Sequence, residues 1–282
     1  MRPRSAILLL TGWILAIGAL APGRTSAQWI EAPWSGWVHL SFAHHDTHRL
    51  FGPDGQPQRI FADGHAVTTS LHATAALGLM RGADAWLQLP AHRLVFTDAG
   101  GRRERLGLGD PRLYLRFGPS LFGWRPVPVA LRFGVKLPVG DFPVDAEVIP
   151  LGEGQRDWEL LLELGHAFRE KPLYVMGWAG YRWREANTQL AWHPGDERIA
   201  FVAVGGRSRR LVWKLAAEGW LGRPPRIQGV RVASARREIV QVLPSLGWQT
   251  GHGVVEFSGR LPLAGRNLPA GPALGLGYFF RW

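Results

Sequence analysis

Along almost the whole chain, apolar and polar residues alternate in steps of two. In "PVPVALRFGVKLPVG", Val127, Val129, Leu131, Phe133, Val135 and Leu137 fall on one side, and Ala130, Arg132, Gly134 and Lys136 on the other. "RDWELLLELGHAF" sets Trp158, Leu160, Leu162 and Leu164 against Glu159, Glu163 and Gly165. "DPRLYLRFG" sets Leu113, Leu115 and Phe117 against Arg112, Tyr114 and Arg116, and "GVVEFSGRLPL" sets Val255, Phe257 and Leu261 against Glu256, Ser258 and Arg260. A period of two marks a strand with one apolar and one polar side. The final "LGLGYFFRW" continues the stripe through Leu274, Leu276, Tyr278, Phe280 and Trp282. Chain ends are ordinarily polar and frayed, so a stripe of this kind calls for an apolar solvent.

The pattern predicts about twelve strands, near 34–45, 66–79, 83–94, 107–119, 126–138, 155–168, 172–185, 197–206, 210–222, 237–248, 252–263 and 271–282. Most reach the ~9–11 residues that cross a bilayer at a tilt. The connections after the second, fourth, sixth, eighth and tenth strands are short: "RGA", "SLFGWR", "REK", "RSR" and "QTG". Those between them, 46–65, 95–106, 139–154, 186–196 and 223–236, are mostly long. Short periplasmic turns and longer outer loops characterise outer-membrane barrels. The expected fold is therefore all-β: a transmembrane antiparallel up-and-down β-barrel with both ends in the periplasm. A soluble β-sandwich would alternate in the same way. Against it stand small and charged residues on the polar faces, and aromatic residues near strand ends (Trp37, Trp86, Trp124, Tyr181, Trp183, Trp220, Trp248) that predict an interfacial belt.

The N-terminal stretch "MRPRSAILLLTGWILAIGALAPGRTSAQ" has Arg2 and Arg4, an apolar run from Ala6 to Ala21, and small residues ending at Ala27. This reads as a cleaved signal peptide over 1–27 and a barrel domain over 28–282, exported to the outer membrane. The absence of cysteine excludes a disulfide framework, a thiolate metal site and a cysteine nucleophile. Net charge is +11, or +8 without the three leader arginines (Arg2, Arg4 and Arg24). In an exported chain this excess predicts contact with anionic lipid head groups or an anion-attracting lumen rather than nucleic acid.

Four ordered segments carry a further signal. "GLGDPRLYLRFG" (Gly107–Gly118) precedes "VPVALRFGVKLPVGDF" (Val127–Phe142), then come "PLGEGQRDWELLLELGHAF" (Pro150–Phe168) and "PLYVMGWAGYRWR" (Pro172–Arg184). Together with the closing "GRLPLAGRNLPAGPALGLGYFF", they resemble the outer-membrane proteins grouped as the MetA-pathway of phenol degradation family. The resemblance implies a closed outer-membrane barrel that transports small hydrophobic or aromatic compounds.

Charges on the lipid face cost ~2–4 kcal/mol each at the midplane for Arg or Lys. Arg112, Arg116, Arg132, Lys136, Glu159, Glu163, Arg182, Arg184, Lys214, Glu218, Glu256 and Arg260 are therefore expected to line the lumen, as ion pairs filling it, as a permeation path, or both. Asp110, Asp141 and Asp157, beside Gly or Pro or at a strand end, read as turn residues bonding their own backbone. "HHDTH" offers His44, His45 and His48 as a metal candidate at the lip of the first long loop, set against a plain solvated loop. Ser70 and His72 share a strand face, but same-face neighbours stand roughly 6–7 Å apart, too far for a nucleophile–base bond. Gly205 and Gly206 have no strand–helix unit to make a phosphate loop, and no cofactor is expected. Tyr278, Phe280 and Trp282 resemble the C-terminal signal read by the barrel-assembly machinery. The expected partners are outer-membrane lipid, that machinery and a small solute. The functional expectation is a channel or transporter; the alternatives are a barrel enzyme acting on lipid and an adhesive barrel using the basic loop 223–236.

Overall fold

The computed structural model describes residues 30–124, 128–140, 142, 149–168 and 170–282. The expected signal peptide, Val127 and Asp141 lie outside the described residues. The main strands are β1 (Gly36–Thr47), β2 (His65–Met80), β3 (Ala83–Asp98), β4 (Gly101–Leu108), β5 (Arg112–Phe117), β6 (Val129–Lys136) and β7 (Asp157–Ala167). They continue as β8 (Leu173–Arg184), β9 (Glu197–Ser208), β10 (Leu211–Gly222), β11 (Glu238–Gln249), β12 (Val254–Arg266) and β13 (Ala273–Arg281). Each pairs antiparallel with its sequence neighbour except that β4 and β5 both pair with β3, and β13 returns to β1, closing a twelve-stranded barrel.

The count is twelve because β4 and β5 are two parts of one barrel strand. β3 pairs with β5 over Ala83–Gln88 and with β4 over Ala91–Asp98. Between these stretches, Pro90 faces the interruption Gly109–Asp110–Pro111, and a proline has no N–H to donate to a ladder. The expected long loop at 95–106 is thus corrected: β3 and β4 run on as a hairpin with a tight turn after Asp98. Two other outer connections fold onto their neighbours. Arg49–Phe51 pairs with Pro57–Arg59 and with Leu268–Pro269. Trp192–His193 pairs with Arg226–Ile227, which pairs with Val230–Arg231.

The alternation fixes what each face meets. On β6, Leu131 is 51% exposed and Phe133 43%, whereas Arg132 between them is 6% exposed and Lys136 2%. The same outward apolar stripe runs through Leu113, Leu115 and Phe117, through Leu160 and Leu162, and through Leu274, Leu276, Tyr278, Phe280 and Trp282. A continuous exposed apolar belt would drive aggregation in water; around a closed barrel it is the lipid surface. Trp124, Trp183 and Trp248 are exposed, in keeping with the expected belt. Trp37 and Trp86 correct that expectation: they meet edge to face with ring centroids 5.1 Å apart, and Trp86 lies under the buried Arg116 inside the barrel.

The seam between β1 and β13 is registered from Trp37↔Arg281 to His45↔Ala273. Gly36 and Trp282 exchange both backbone hydrogen bonds beyond it, at 3.3 and 3.1 Å. The Trp282 indole Nε1 also donates to the Trp34 carbonyl at 3.2 Å. The final residue is therefore paired into the wall.

Candidate functional site

The inner faces of β3 and of β5 through β9 carry a lattice of ion pairs. Register creates it, because oppositely charged residues face one another on adjacent strands: Asp84↔Arg116, Glu159↔Arg182, Asp157↔Arg184, Lys136↔Asp157 and Arg182↔Glu197. Cross-strand neighbours on one face are close enough to pair directly.

Toward the periplasmic end, Arg116 grips Asp84 through Nε and Nη2 at 2.9 and 2.8 Å. Its Nη1 donates to Glu163 at 2.9 Å, and Arg132 lies 3.1 Å from the other Glu163 oxygen. The Arg132 guanidinium also sits among aromatic faces, 4.8 Å from Trp178, 5.2 Å from Tyr114 and 5.5 Å from Trp86. Such stacking partly replaces lost hydration for a guanidinium. The Glu31 amide donates to Asp84 at 2.9 Å, and its carboxylate accepts from Arg281 at 2.7 Å. The segment before β1 is thereby tied across the periplasmic mouth.

Toward the outer end, Arg182 bridges Glu159 at 2.8 Å and Glu197 at 2.5 Å, and Arg112 pairs with Glu159. Arg184 reaches Asp157, Glu197 and Glu153, while Lys136 reaches Asp157, Glu153 and Asp110. Glu153 belongs to the loop over the barrel and also binds Arg237 at 3.0 Å. Burial alone would raise its carboxyl, but Arg184, Lys136 and Arg237 together hold it well below the usual carboxylate range.

Above this floor lies a cavity of about 750 Å³. One part of its lining is charged (Arg112, Lys136, Glu153, Arg184, Glu197, Arg237), and another is apolar (Leu94, Phe142, Leu151, Leu190, Trp192, Pro194). His72 and His92, with ring centroids 5.6 Å apart, line it from the wall. A smaller cavity of about 270 Å³ is lined by Ser70, His72, Lys214, Ser258, Glu256 and Arg260 among others.

The sequence-derived candidates divide between these places. Arg112, Arg116, Arg132, Lys136, Glu159, Glu163, Arg182 and Arg184 come together in the lattice. Across the barrel, Lys214 lies 3.6 Å from Glu256, and Glu218 accepts from Gln241 at 2.7 Å. Arg260 has no ion pair among the described residues and lines the smaller cavity.

Other expectations are corrected. Asp110 does not bond its own turn; its carboxylate accepts from the amides of Gly140 and Glu153, at 3.0 and 2.8 Å, and so gathers the two ends of the connection between β6 and β7. Asp157, expected in a turn, is fully buried in the lattice. His44, His45 and His48 do not converge: His44 bonds Thr69, and His45 bonds the Gly271 carbonyl. His48 instead groups with Asp46 and with His65, a residue nineteen positions beyond Asp46. Ser70 does find a histidine, but it is His92 at 2.8 Å, its cross-strand register partner, and not His72. Gly205 and Gly206 are ordinary residues of β9.

Sequence reading missed Asp84, Glu153 and Glu197 as lattice members. Asp84 and Glu197 sit at strand starts, where a carboxylate reads equally well as turn chemistry. Only strand register shows that each faces an arginine.

No protein-family model matches the chain. No curated protein matches it either. Among solved structures, the chain is similar to an outer-membrane channel from Pseudomonas putida F1, with a TM-score of 0.74 and 15% identity over 93% of this chain and 100% of that one. At that identity the likeness establishes the fold. A monoaromatic hydrocarbon channel, CymD, aligns with a TM-score of 0.48 and 8% identity over 89% of each chain. The translocator domain of the autotransporter NalP from Neisseria meningitidis also scores 0.48, at 10% identity over 99% and 97% of the two chains. The chain thus has the twelve-stranded fold of an outer-membrane β-barrel.

Two outcomes follow from the lattice. Asp84→Asn leaves Arg116 buried with a broken grip and is expected to cost about 3–5 kcal/mol in reversible unfolding from lipid vesicles. Lys214→Ala, at a looser and more exposed pair, is expected to cost less than about 1 kcal/mol in the same measurement. The second outcome concerns acid. The folded Glu153 carboxyl is depressed, so its clamp is fully present above pH 4.5 and is lost only as the pH falls well below that value. Protease cutting within 149–156 should rise in that acid window, and Glu153→Gln should abolish the step and leave the loop loose at neutral pH.

Proposed function

We propose that the protein is an outer-membrane channel or transporter for small molecules, hydrophobic and aromatic ones among them. The observation that carries this reading is the outer cavity. It lies inside a barrel whose outer surface suits lipid, and it sets a charged floor against an apolar, aromatic lining. Its volume is within the ~300–1,000 Å³ of small-ligand sites. A single-ring solute would rest on Trp192, Leu151 and Leu190, with a polar substituent directed at Lys136, Arg184 or Arg237. Twelve strands also enclose more room than eight, whose interior side chains fill, and less than the 16–18 of an open porin. The fold shared with the Pseudomonas putida channel agrees with this reading.

We read the Ser70–His92 pair as a tie within the wall, not as a nucleophile. The Asp110 carboxylate is already engaged by two loop amides and Lys136, so it does not orient the imidazole as a triad would. Export through a cleaved leader over 1–27, and recognition of Tyr278, Phe280 and Trp282 by the barrel-assembly machinery, belong to the same proposal.

Uptake into proteoliposomes tests the transport reading. Trp192→Ala should slow entry of a small aromatic acid roughly 2- to 10-fold, the equivalent of ~0.5–1.5 kcal/mol of aromatic contact. Entry of an aliphatic acid of similar size should change little. Folded wild-type protein that passes neither ions nor solutes would overturn the reading. Trp282→Asp tests assembly separately: it should lower the heat-modifiable, membrane-inserted fraction while the molecules that do insert conduct normally.

A further inference from the structure

Within "HHDTH", His45 turns inward and lines the smaller cavity, whereas His44, Asp46 and His48 find no place in the lumen. On β1, Leu40 and Phe42 are exposed to the outside, so His44 and Asp46 occupy the same outer face just beyond the apolar stripe. On β2, the exposed Leu71 sets the outer parity, and His65 shares it. His48 follows the end of β1, and its carbonyl accepts from Ile60, so it lies where the first outer loop leaves the wall. Asp46, His48 and His65 therefore meet outside the barrel, at the two roots of the loop formed by residues 49–64.

Their geometry is compact. The His65 Nε2–H donates to Asp46 Oδ1 at 2.7 Å, and the His48 and His65 rings stack with centroids 4.0 Å apart and planes 11° from parallel. One ligand atom from each residue lies within 4.8 Å of the other two. A tetrahedral ion with bonds of about 2.0–2.2 Å places its donors roughly 3.3–3.6 Å apart. The 2.7 Å pair is closer than that distance and no spacing among the three exceeds 4.8 Å, so the adjustment the site requires is a turn of the exposed Asp46 and His48 side chains. Two imidazoles and a carboxylate favour a borderline divalent transition metal over calcium or magnesium.

We propose that Asp46, His48 and His65 form a surface site for a divalent transition-metal ion of the zinc class. The ion replaces the His65–Asp46 hydrogen bond, takes three protein ligands and completes its shell with water. It joins the end of β1 to the start of β2 and so pins the base of the first outer loop. This proposal is independent of the transport reading, because the site faces away from the lumen.

Titration calorimetry of untagged, detergent-solubilised full-length protein with Zn²⁺ tests it. One ion should bind per chain, and His65→Ala or His48→Ala should weaken binding by at least ~10-fold. His252→Ala, at an exposed histidine elsewhere, should leave the affinity unchanged. In the wild type, Zn²⁺ should slow tryptic cleavage at Arg49 and Arg59, a readout that needs no variant to fold. Cu²⁺ bound at the same site should show hyperfine coupling to two nitrogens in its electron paramagnetic resonance spectrum. Binding that survives loss of both His48 and His65, or wild-type protein that takes up no Zn²⁺ below ~1 mM, would show that the cluster is only a hydrogen-bonded loop root and would overturn the proposal.

Discussion

Closure of the backbone ladder governs everything else in this molecule. Hydrocarbon offers no partner to an N–H or a C=O, so a sheet can cross a membrane only if it has no edge. Here the seam is met by the pairing of β1 with β13 and by the last exchange of hydrogen bonds between Gly36 and Trp282. Once the ring is closed, the pleat leaves each residue two options, lipid or lumen. Half of the wall must be apolar, and every charge on a spanning strand must go inward. The lattice is the consequence of that confinement.

A buried lattice is not an efficient way to gain stability. Desolvating two ions costs several kcal/mol, and well-packed apolar residues often do as well or better. What the ions supply is register. A slip of one residue would turn every side chain of a strand to the opposite face. For the wall from β5 to β8 that would expose Arg112, Arg116, Arg132, Arg182 and Arg184 to lipid, at ~2–4 kcal/mol each near the midplane. It would also separate Arg116, Arg182 and Arg184 from the carboxylates that now face them across the strand gaps, Asp84, Glu159 with Glu197, and Asp157. The lattice therefore penalises wrong pairings far more than it stabilises the right one. This matters in a sheet whose central barrel strands otherwise present similar apolar stripes.

What the sequence reveals follows from the same physics. Strand number, the outer stripe and the inward placement of Arg112, Arg132 or Glu159 were legible, because a period of two is written locally. Pairings were not. Ser70 meets His92 and His48 meets His65 only through register, which depends on where the turns fall. The extension of β3 and β4 is hidden because "TDAGGRRER" is rich in turn residues and charges, yet forms a paired hairpin. Trp37 and Trp86 looked like belt residues because they lie near strand ends. Parity sends them inside, where Trp86 covers the charge of Arg116.

The positions of the charges also revise what the overall charge implies. A net positive chain suggests a lumen that attracts anions, yet the lumenal cations of the lattice are matched by Asp84, Asp110, Glu153, Asp157, Glu159, Glu163 and Glu197. Much of the excess lies at exposed positions instead: Arg49, Arg226 and Arg231 on the outer loops, and Arg81, Arg207, Arg209 and Arg210 at the periplasmic turns. In the transport reading proposed above, a self-neutralised lumen holds neither sign strongly, so an ion or a neutral ring would enter without being trapped. Discrimination then falls to shape and to the apolar lining of the outer cavity. In the opposite wall, Arg260 stands without an ion partner among the described residues and lines the smaller cavity. The proposed transport of small aromatic solutes would draw on that combination: charge satisfied within the wall, and apolar surface offered to the cargo.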